Sequence, residues 1–168
     1  MMGDAITIRP ATEAEVPAVL AFIRDLAVYE KLEHEVVATE EGLRKALFGP
    51  RPYAEVVFAC VAGKPVGFAL FFHNFSTFLG KPGIYLEDLF VLPEARGRGI
   101  GKRLLTWLAN TTVERGCGRL EWAVLDWNEP AIGFYRSLGA VLKDEWQVFC
   151  LTGTALTTLA RESNPGGN

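Results

Sequence analysis

Apolar residues recur at Val16, Val19, Leu20, Ile23, Leu26 and Ala27, the three-and-four spacing of one helical face. Ahead of them, residues 6–9 read as a short strand closed by Pro10, and Thr12 and Glu15 have the spacing of a capping box that opens the helix. A helix with one apolar face must lie against a partner layer, here a sheet. Residues 39–48 predict a second helix that runs into the breakers Gly49 and Pro50, and residues 53–61 follow with strand-like composition. Ala62-Gly63-Lys64 marks a hairpin with 66–74 as the return strand, and 75–83, holding Gly80, Pro82 and Gly83, reads as a loop. The apolar run 84–91 comes next, interrupted by two acids, Glu87 and Asp88. From 99 to about 115 the spacing is helical again, with Ile100, Leu104, Leu105 and Leu108 on one side and Gly116 and Gly118 at the end. Residues 120–125 are strand-like, and Asn128-Glu129-Pro130 leads into a short helix through Leu138, stopped by Gly139. Residues 146–152 predict a late strand, and the chain from about 162 to 168 a frayed tail. The order β-α-α-β-β-β-α-β-α-β predicts an α/β (α+β) fold, a meander of antiparallel strands followed by right-handed crossovers, with helices covering a mixed sheet.

A length of 168 residues suits one domain spanning 1–168, and 49% apolar residues with 11 Phe supply a core. The net charge of -3 argues against a body built for nucleic acid or anionic membrane, so any cationic site must be local. Cys60, Cys117 and Cys150 are odd in number and lack C-x-x-C spacing, which disfavours disulfides and zinc; Cys117 and Cys150 are expected to pack as small hydrophobes. No uncharged apolar run reaches the roughly 18 residues of a membrane span, and no export signal is evident, so a cytoplasmic protein is expected.

One segment departs from that acidic background. In Arg96-Gly97-Arg98-Gly99-Ile100-Gly101-Lys102-Arg103, four cations fall within eight residues between a strand and a strong helix. Glycines let backbone N–H groups turn toward an anion, and the helix N-terminus adds partial positive charge, so a pyrophosphate can sit there. The spacing excludes two other glycine motifs: three residues separate Gly97 from Gly101 where a P-loop needs four, and Lys102 stands where the dinucleotide fingerprint needs glycine. The same turn also reads as a glycine-rich helix entry with solvated arginines.

The loop resembles the R/Q-x-x-G-x-G/A turn of the GNAT superfamily of N-acetyltransferases, and other segments follow in that family's order. Tyr85-Leu86-Glu87-Asp88-Leu89-Phe90-Val91 resembles its central strand, and Trp127-Asn128-Glu129-Pro130-Ala131-Ile132-Gly133-Phe134-Tyr135 the segment that carries its catalytic tyrosine. With Ile8-Arg9-Pro10-Ala11-Thr12 and Tyr29-Glu30, the chain looks most like the spermidine/spermine, diamine and thialysine acetyltransferase subgroup. Residues 74–78, Asn-Phe-Ser-Thr-Phe, lack the acid of the polyamine-acetylating members and are closer to the thialysine type.

The resemblance implies a mostly antiparallel sheet of about six to seven strands flanked by about four helices. It also implies acetyl-CoA as co-substrate without a metal, a small-molecule amine as acceptor, and a homodimer, for which the aromatics of 71–78 suit an interface. Residues implied to hold the cofactor are Leu89, Phe90, Val91, Arg96, Gly97, Arg98, Gly99, Ile100, Gly101, Lys102, Asn128 and Ala131. Those implied to meet the acceptor are Tyr29, Glu30, Glu87, Asp88, Trp122 and Glu145. Tyr29 and Glu30 also read as a solvated helix end.

The acceptor sets the chemical problem, because an alkylammonium of pKa near 10.4 is only about one part in 2,500 neutral at pH 7. A carboxylate that attracts the cation and takes its proton removes this barrier, and Glu87 is the candidate by its family position. Strand alternation sends Asp88 to the other face unless a bulge intervenes, which ranks Glu87 first. A backbone N–H near Leu89 is implied to stabilise the oxyanion, and Tyr135, a phenol protonated at neutral pH, to protonate the departing thiolate. Tyr135 otherwise packs beside Phe134. His34 and His73 are isolated and read as surface groups. The leading expectation is direct transfer in a ternary complex. Acetylation of a protein or peptide amine, a non-catalytic acetyl-CoA-binding module and an arginine-glycine nucleic-acid binder are the alternatives.

Overall fold

A computed structural model describes residues 5–162. Strand β1, Ile6–Pro10, gives way at Thr12 to a capping box in which Thr12 N–H donates to Glu15 Oε2 at 2.9 Å. Arg9 reaches the same carboxylate with two hydrogen bonds of 2.9 and 2.7 Å and holds it down to a pKa of about 2. Helix α1, Val16–Glu30, follows a short 3-10 turn and ends at Lys31 in the left-handed region, where Leu32 N–H bonds back to Ala27 O at 2.8 Å. Helix α2, Glu40–Phe48, is capped by the Thr39 hydroxyl, which accepts from Gly42 N–H at 3.1 Å.

Strands β2, Glu55–Val61, β3, Lys64–Ser76, and β4, Lys81–Val91, form the antiparallel meander that the turn residues predicted. The β2–β3 hairpin turns at Ala62 and Gly63, both with positive φ, matching the twist of the strands. Helix α3, Ile100–Glu114, then carries the chain to β5, Leu120–Trp122, which pairs parallel with β4. Sheet order is β1-β2-β3-β4-β5.

Each sheet face of this part has its own cover. Val19, Phe22 and Leu26 of α1 and Leu47 of α2 pack on Phe58, Phe68 and Phe90. On the other face Trp107 of α3 meets Phe71 edge-on, ring centres 5.9 Å apart, above the buried Leu104 and Leu108. Gly67 lets α3 approach: a Cβ there would lie 3.4 Å from Ile100 and 3.0 Å from Phe90 O.

The described residues fall into two compact units, the first ending at Leu125 and the second beginning at Asp126. The second contains α4, Glu129–Ser137, and α5, Gly153–Glu162. The tail expected from residue 163 onward lies outside the described residues, while Glu162 closes α5.

The fold corrects several expectations. The sheet has five strands, a little fewer than six to seven, because residues 146–152 form no strand: every one is exposed and none joins a ladder. The described residues form five α-helices, α5 being unforeseen although Ala155, Leu156, Leu159 and Ala160 carry helical spacing. The expected loop 75–83 shrinks to residues 77–80, since β3 and β4 pair out to Ser76 and Lys81. Phe71 is buried, which removes it from any aromatic interface, whereas Phe75 and Phe78 remain exposed. Cys150 is exposed rather than packed.

Candidate active site

The centre of the site is a fault in the β3–β4 ladder. Leu70 pairs with Asp88 and Phe71 with Leu86, so Glu87 is the extra residue of a β-bulge. Strict alternation would put Leu86 and Asp88 on one face. The bulge instead turns Leu86, opposite Phe71, toward α3, while Asp88 stays on the α1 face with Phe90. Tyr85 moves to the face of Asp88 as well, its ring 5.3 Å from Phe72. The charge of Glu87 acts on both Asp88 and Tyr85.

Glu87 is exposed and Asp88 half-buried. Burial, then the charges of Glu87 and of Glu30, pushes the Asp88 carboxyl up to about 6. Glu30, the last residue of α1, is itself raised by burial. Tyr29 precedes it, its ring centre 6.3 Å from that of Phe90. The Tyr85 phenol is raised by burial and then by Glu87 and Glu121. Two carboxylates, Glu87 and Glu30, whose charges raise the proton affinity of a third make a site where an ammonium ion relieves repulsion.

Glu121 is the acid that sequence reasoning missed. It pairs with Tyr85 across β4 and β5, accepts from Asn74 Nδ2 at 2.8 Å and lies 2.8 Å from Arg119 Nε. Its signal was an acid between Leu120 and Trp122 in a strand-like run. Trp122, half-buried, pairs with Leu86. Because β5 pairs with β4 only from Ile84 to Leu86, no described strand covers that edge of β4 from Glu87 to Val91. Leu89, half-buried, faces Gly101 of α3, and its main chain lies on this open edge. Phe90 and Ile100 spend their side chains in the core, so only their backbone can serve a ligand.

Past β4, a 3-10 turn at Pro93–Ala95 leads into the glycine loop. Gly97 and Gly99 are left-handed, with φ of 76° and 73°, and a Cβ on either would meet only open space. Gly99 is the N-cap of the 15-residue α3 and offers no side-chain cap to its first turn. Arg98 and Lys102 are exposed beside it. The loop therefore fits a pyrophosphate: uncapped N–H groups, a helix N-terminus and two solvent-facing cations. Two expected cations are committed elsewhere. Arg103 donates to Ile6 O at 3.2 Å, and Arg96 donates from Nε to Val91 O at 3.0 Å while its guanidinium lies over Tyr29 and Phe90.

In the second unit Asn128 caps α4, its Oδ1 accepting from Ala131 N–H at 3.4 Å. That bond occupies the N–H of Ala131, a residue expected to meet the cofactor. Tyr135 is half-buried with its ring 5.6 Å from that of Phe134, and Glu145 is exposed in an irregular stretch. His34 pairs with Glu35 and is exposed, and His73 Nε2 lies 3.4 Å from the Arg115 guanidinium that binds Glu55. No described helix is long and apolar enough to cross a membrane.

The profile of the acetyltransferase (GNAT) family matches residues 20–140. The chain is 39% identical to a thialysine N-epsilon-acetyltransferase of Bos taurus, over 92% of this chain and 97% of that one. It is 35% identical to an L-ornithine N5-acetyltransferase of Arabidopsis thaliana, over 90% of this chain and 86% of the relative. Among solved structures, an integron cassette protein from the mobile metagenome of V. cholerae superposes with a TM-score of 0.79 at 28% identity, covering 95% of this chain and 99% of the other.

Proposed function

We propose that this chain, which belongs to the acetyltransferase (GNAT) family and is an N-acetyltransferase, moves an acetyl group from acetyl-CoA to the primary amine of a small lysine-like, ornithine-like or diamine acceptor. The observation that carries this reading is the convergence of Glu30, Glu87 and Asp88 at the β4 bulge, with Asp88 held near 6. Such a cluster attracts an ammonium ion, and a carboxyl of pKa about 6 is a far better proton acceptor at neutral pH than an ordinary aspartate. The names of the thialysine and ornithine acetyltransferases support an amino-acid-like acceptor.

Acetyl-CoA supplies the activated acyl carbon. The backbone of Gly97, Gly99, Ile100 and Gly101, with the Arg98 and Lys102 side chains, holds its pyrophosphate, and Asn128 and the edge of Leu89, Phe90 and Val91 meet the pantetheine arm. Glu87, exposed at the bulge, meets the ammonium, and the Glu87–Asp88 pair takes its proton. The Leu89 N–H polarises the acyl oxygen. Tyr135 gives its phenolic proton to the leaving sulfur, a role resting on its segment's likeness to the family. Tyr29, Trp122 and Glu145 line the acceptor, which attacks directly in a ternary complex with no metal. A cytoplasmic setting suits the three free thiols, and a homodimer suits the exposed Phe75, Phe78, Val148 and Phe149.

Mixing the protein with acetyl-CoA and thialysine, ornithine, lysine, diamines, spermidine or amine-bearing peptides, and following free thiol, tests this. Turnover is expected with the amino-acid-like amines, and more slowly with spermidine. Turnover with peptides alone overturns the acceptor, and cofactor binding without thiol release from any amine overturns catalysis.

A further inference from the structure

Arg96 belongs by sequence to the glycine loop, yet its side chain leaves that loop. The phosphate-ready backbone leads into α3, on the sheet face where Leu89 meets Gly101. The Arg96 guanidinium lies instead with Phe90, on the α1 face, 5.2 Å from that ring centre and 5.1 Å from the centre of Tyr29. Its Nε is fixed by Val91 O. A planar cation pinned by a main-chain carbonyl and laid against two rings is a clamp, and the part it clamps is the last turn of α1. Tyr29 and Glu30 are the final residues of that helix, just before the left-handed Lys31, and Glu30 is one of the charges acting on Asp88. One side chain thus ties the end of β4, where the cofactor loop begins, to the acceptor wall.

We propose that Arg96 is a positioning residue for the acceptor, holding Tyr29 on Phe90 and so fixing Glu30 opposite the β4 bulge, rather than a phosphate ligand of the cofactor. The inference rests on the acetyltransferase reading above. It accounts for an arginine at the start of the loop whose charge is directed away from the helix N-terminus, and it makes acceptor affinity depend on a residue of the cofactor loop.

Two measurements on Arg96→Met and Arg96→Lys test it. In steady-state kinetics Arg96→Met should raise the acceptor KM about tenfold, the scale of losing an exposed cation from two rings at once, with acetyl-CoA KM and kcat within about twofold of wild type. Arg96→Lys keeps the charge without the planar fork and should restore less than half of that loss on a logarithmic scale. Tyr29→Ala should raise the acceptor KM similarly and add little in an Arg96→Met background. A rise in acetyl-CoA KM with acceptor KM unchanged overturns the proposal and returns Arg96 to the phosphates. The second measurement needs no turnover: in ligand-free protein, amide hydrogen exchange across residues 28–32 should quicken about tenfold in Arg96→Met while the first turn of α3 is unaffected. Unchanged exchange there overturns the clamp. If the wild-type protein transfers no acetyl group, the functional reading fails by itself, and the exchange result still decides whether Arg96 holds α1.

Discussion

Glu87 and Asp88 sit in a strand paired with residues Gly67 to Ser76 on one side and packed between an aromatic cluster and α3. Tyr135 sits on, and Asn128 caps, a nine-residue helix with no fully buried apolar residue of its own, and every residue from 141 to 162 is exposed. The first region can store an unfavourable state, a half-buried carboxyl beside two other acids, because the core around it keeps Asp88 where its charge is costly. In the second, Asn128 caps α4 and Tyr135 lies beside Phe134. In the proposed reaction the proton acceptor thus lies in the packed sheet, and the proposed donor, a phenol that needs no shifted pKa to be protonated at neutral pH, on α4.

The strongest test of that division is at the bulge. Glu87→Gln should lower kcat/KM for the best amine by about 10²- to 10³-fold in the thiol-release assay. The pH profile sharpens it. Asp88 ionises near 6 in the folded protein, above the ordinary 3.8, so kcat/KM should climb through about pH 6 as the base form appears. Burial is the largest cause of the shift and Glu87 the next, so Glu87→Gln should move that limb down without restoring 3.8, and Asp88→Asn should abolish it. Linkage gives the matching sign for stability. A carboxyl whose folded pKa is raised costs nothing below 3.8, costs progressively more as pH rises toward 6, and keeps the full cost above. Asp88→Asn should therefore raise Tm relative to wild type more at pH 8 than at pH 4. A limb that stays near 4 in the wild type breaks the contrast between the two regions.

The proposed proton donor should show a smaller loss. Tyr135→Phe removes one oxygen from a residue whose ring contact with Phe134 survives, and kcat should fall about 100-fold. Acetyl thioesters of more acidic thiols need less help in leaving, and with them the loss should shrink. A loss independent of the thiol assigns Tyr135 to packing.

The two regions also differ in how they can be read from sequence. The capping box at Thr12, the hairpin at Ala62 and Gly63, and the span of α3 follow from local rules, and the structure keeps them. Gly83 and Pro82 misled because they look like loop punctuation, whereas Gly83 is needed inside β4, where a Cβ would run into Asn74 Oδ1. The strand-like 146–152 misled in the opposite sense. Valine and aromatic content favours a strand only when an edge is there to pair with, and composition cannot report the edge. At the bulge, the sequence showed two adjacent acids and the condition under which both could face one pocket. Whether the ladder slips at that point depends on β3, about 15 residues earlier, and so lies beyond any local pattern. Arg96 is the same case: its place in the motif was legible, but the direction of its side chain depends on Tyr29, far away in sequence.

Asn128 gives the smallest effect and the finest test, because its two amide atoms can be separated. Oδ1 accepts from Ala131 N–H and starts α4, while Nδ2 is the donor that the proposed pantetheine contact requires. Asn128→Asp keeps the accepting oxygen and places a negative charge at the helix N-terminus, which favours the cap, but it removes the donor. If the residue serves both ends, Tm should be unchanged or slightly higher while acetyl-CoA KM rises about tenfold, the worth of one hydrogen bond to a ligand. Asn128→Ala should lose both functions, with a stability cost of about 1 kcal/mol added to the same rise in KM. Equal cofactor affinity in Asn128→Asp and wild type makes the residue a cap alone and removes it from the proposed pantetheine contact.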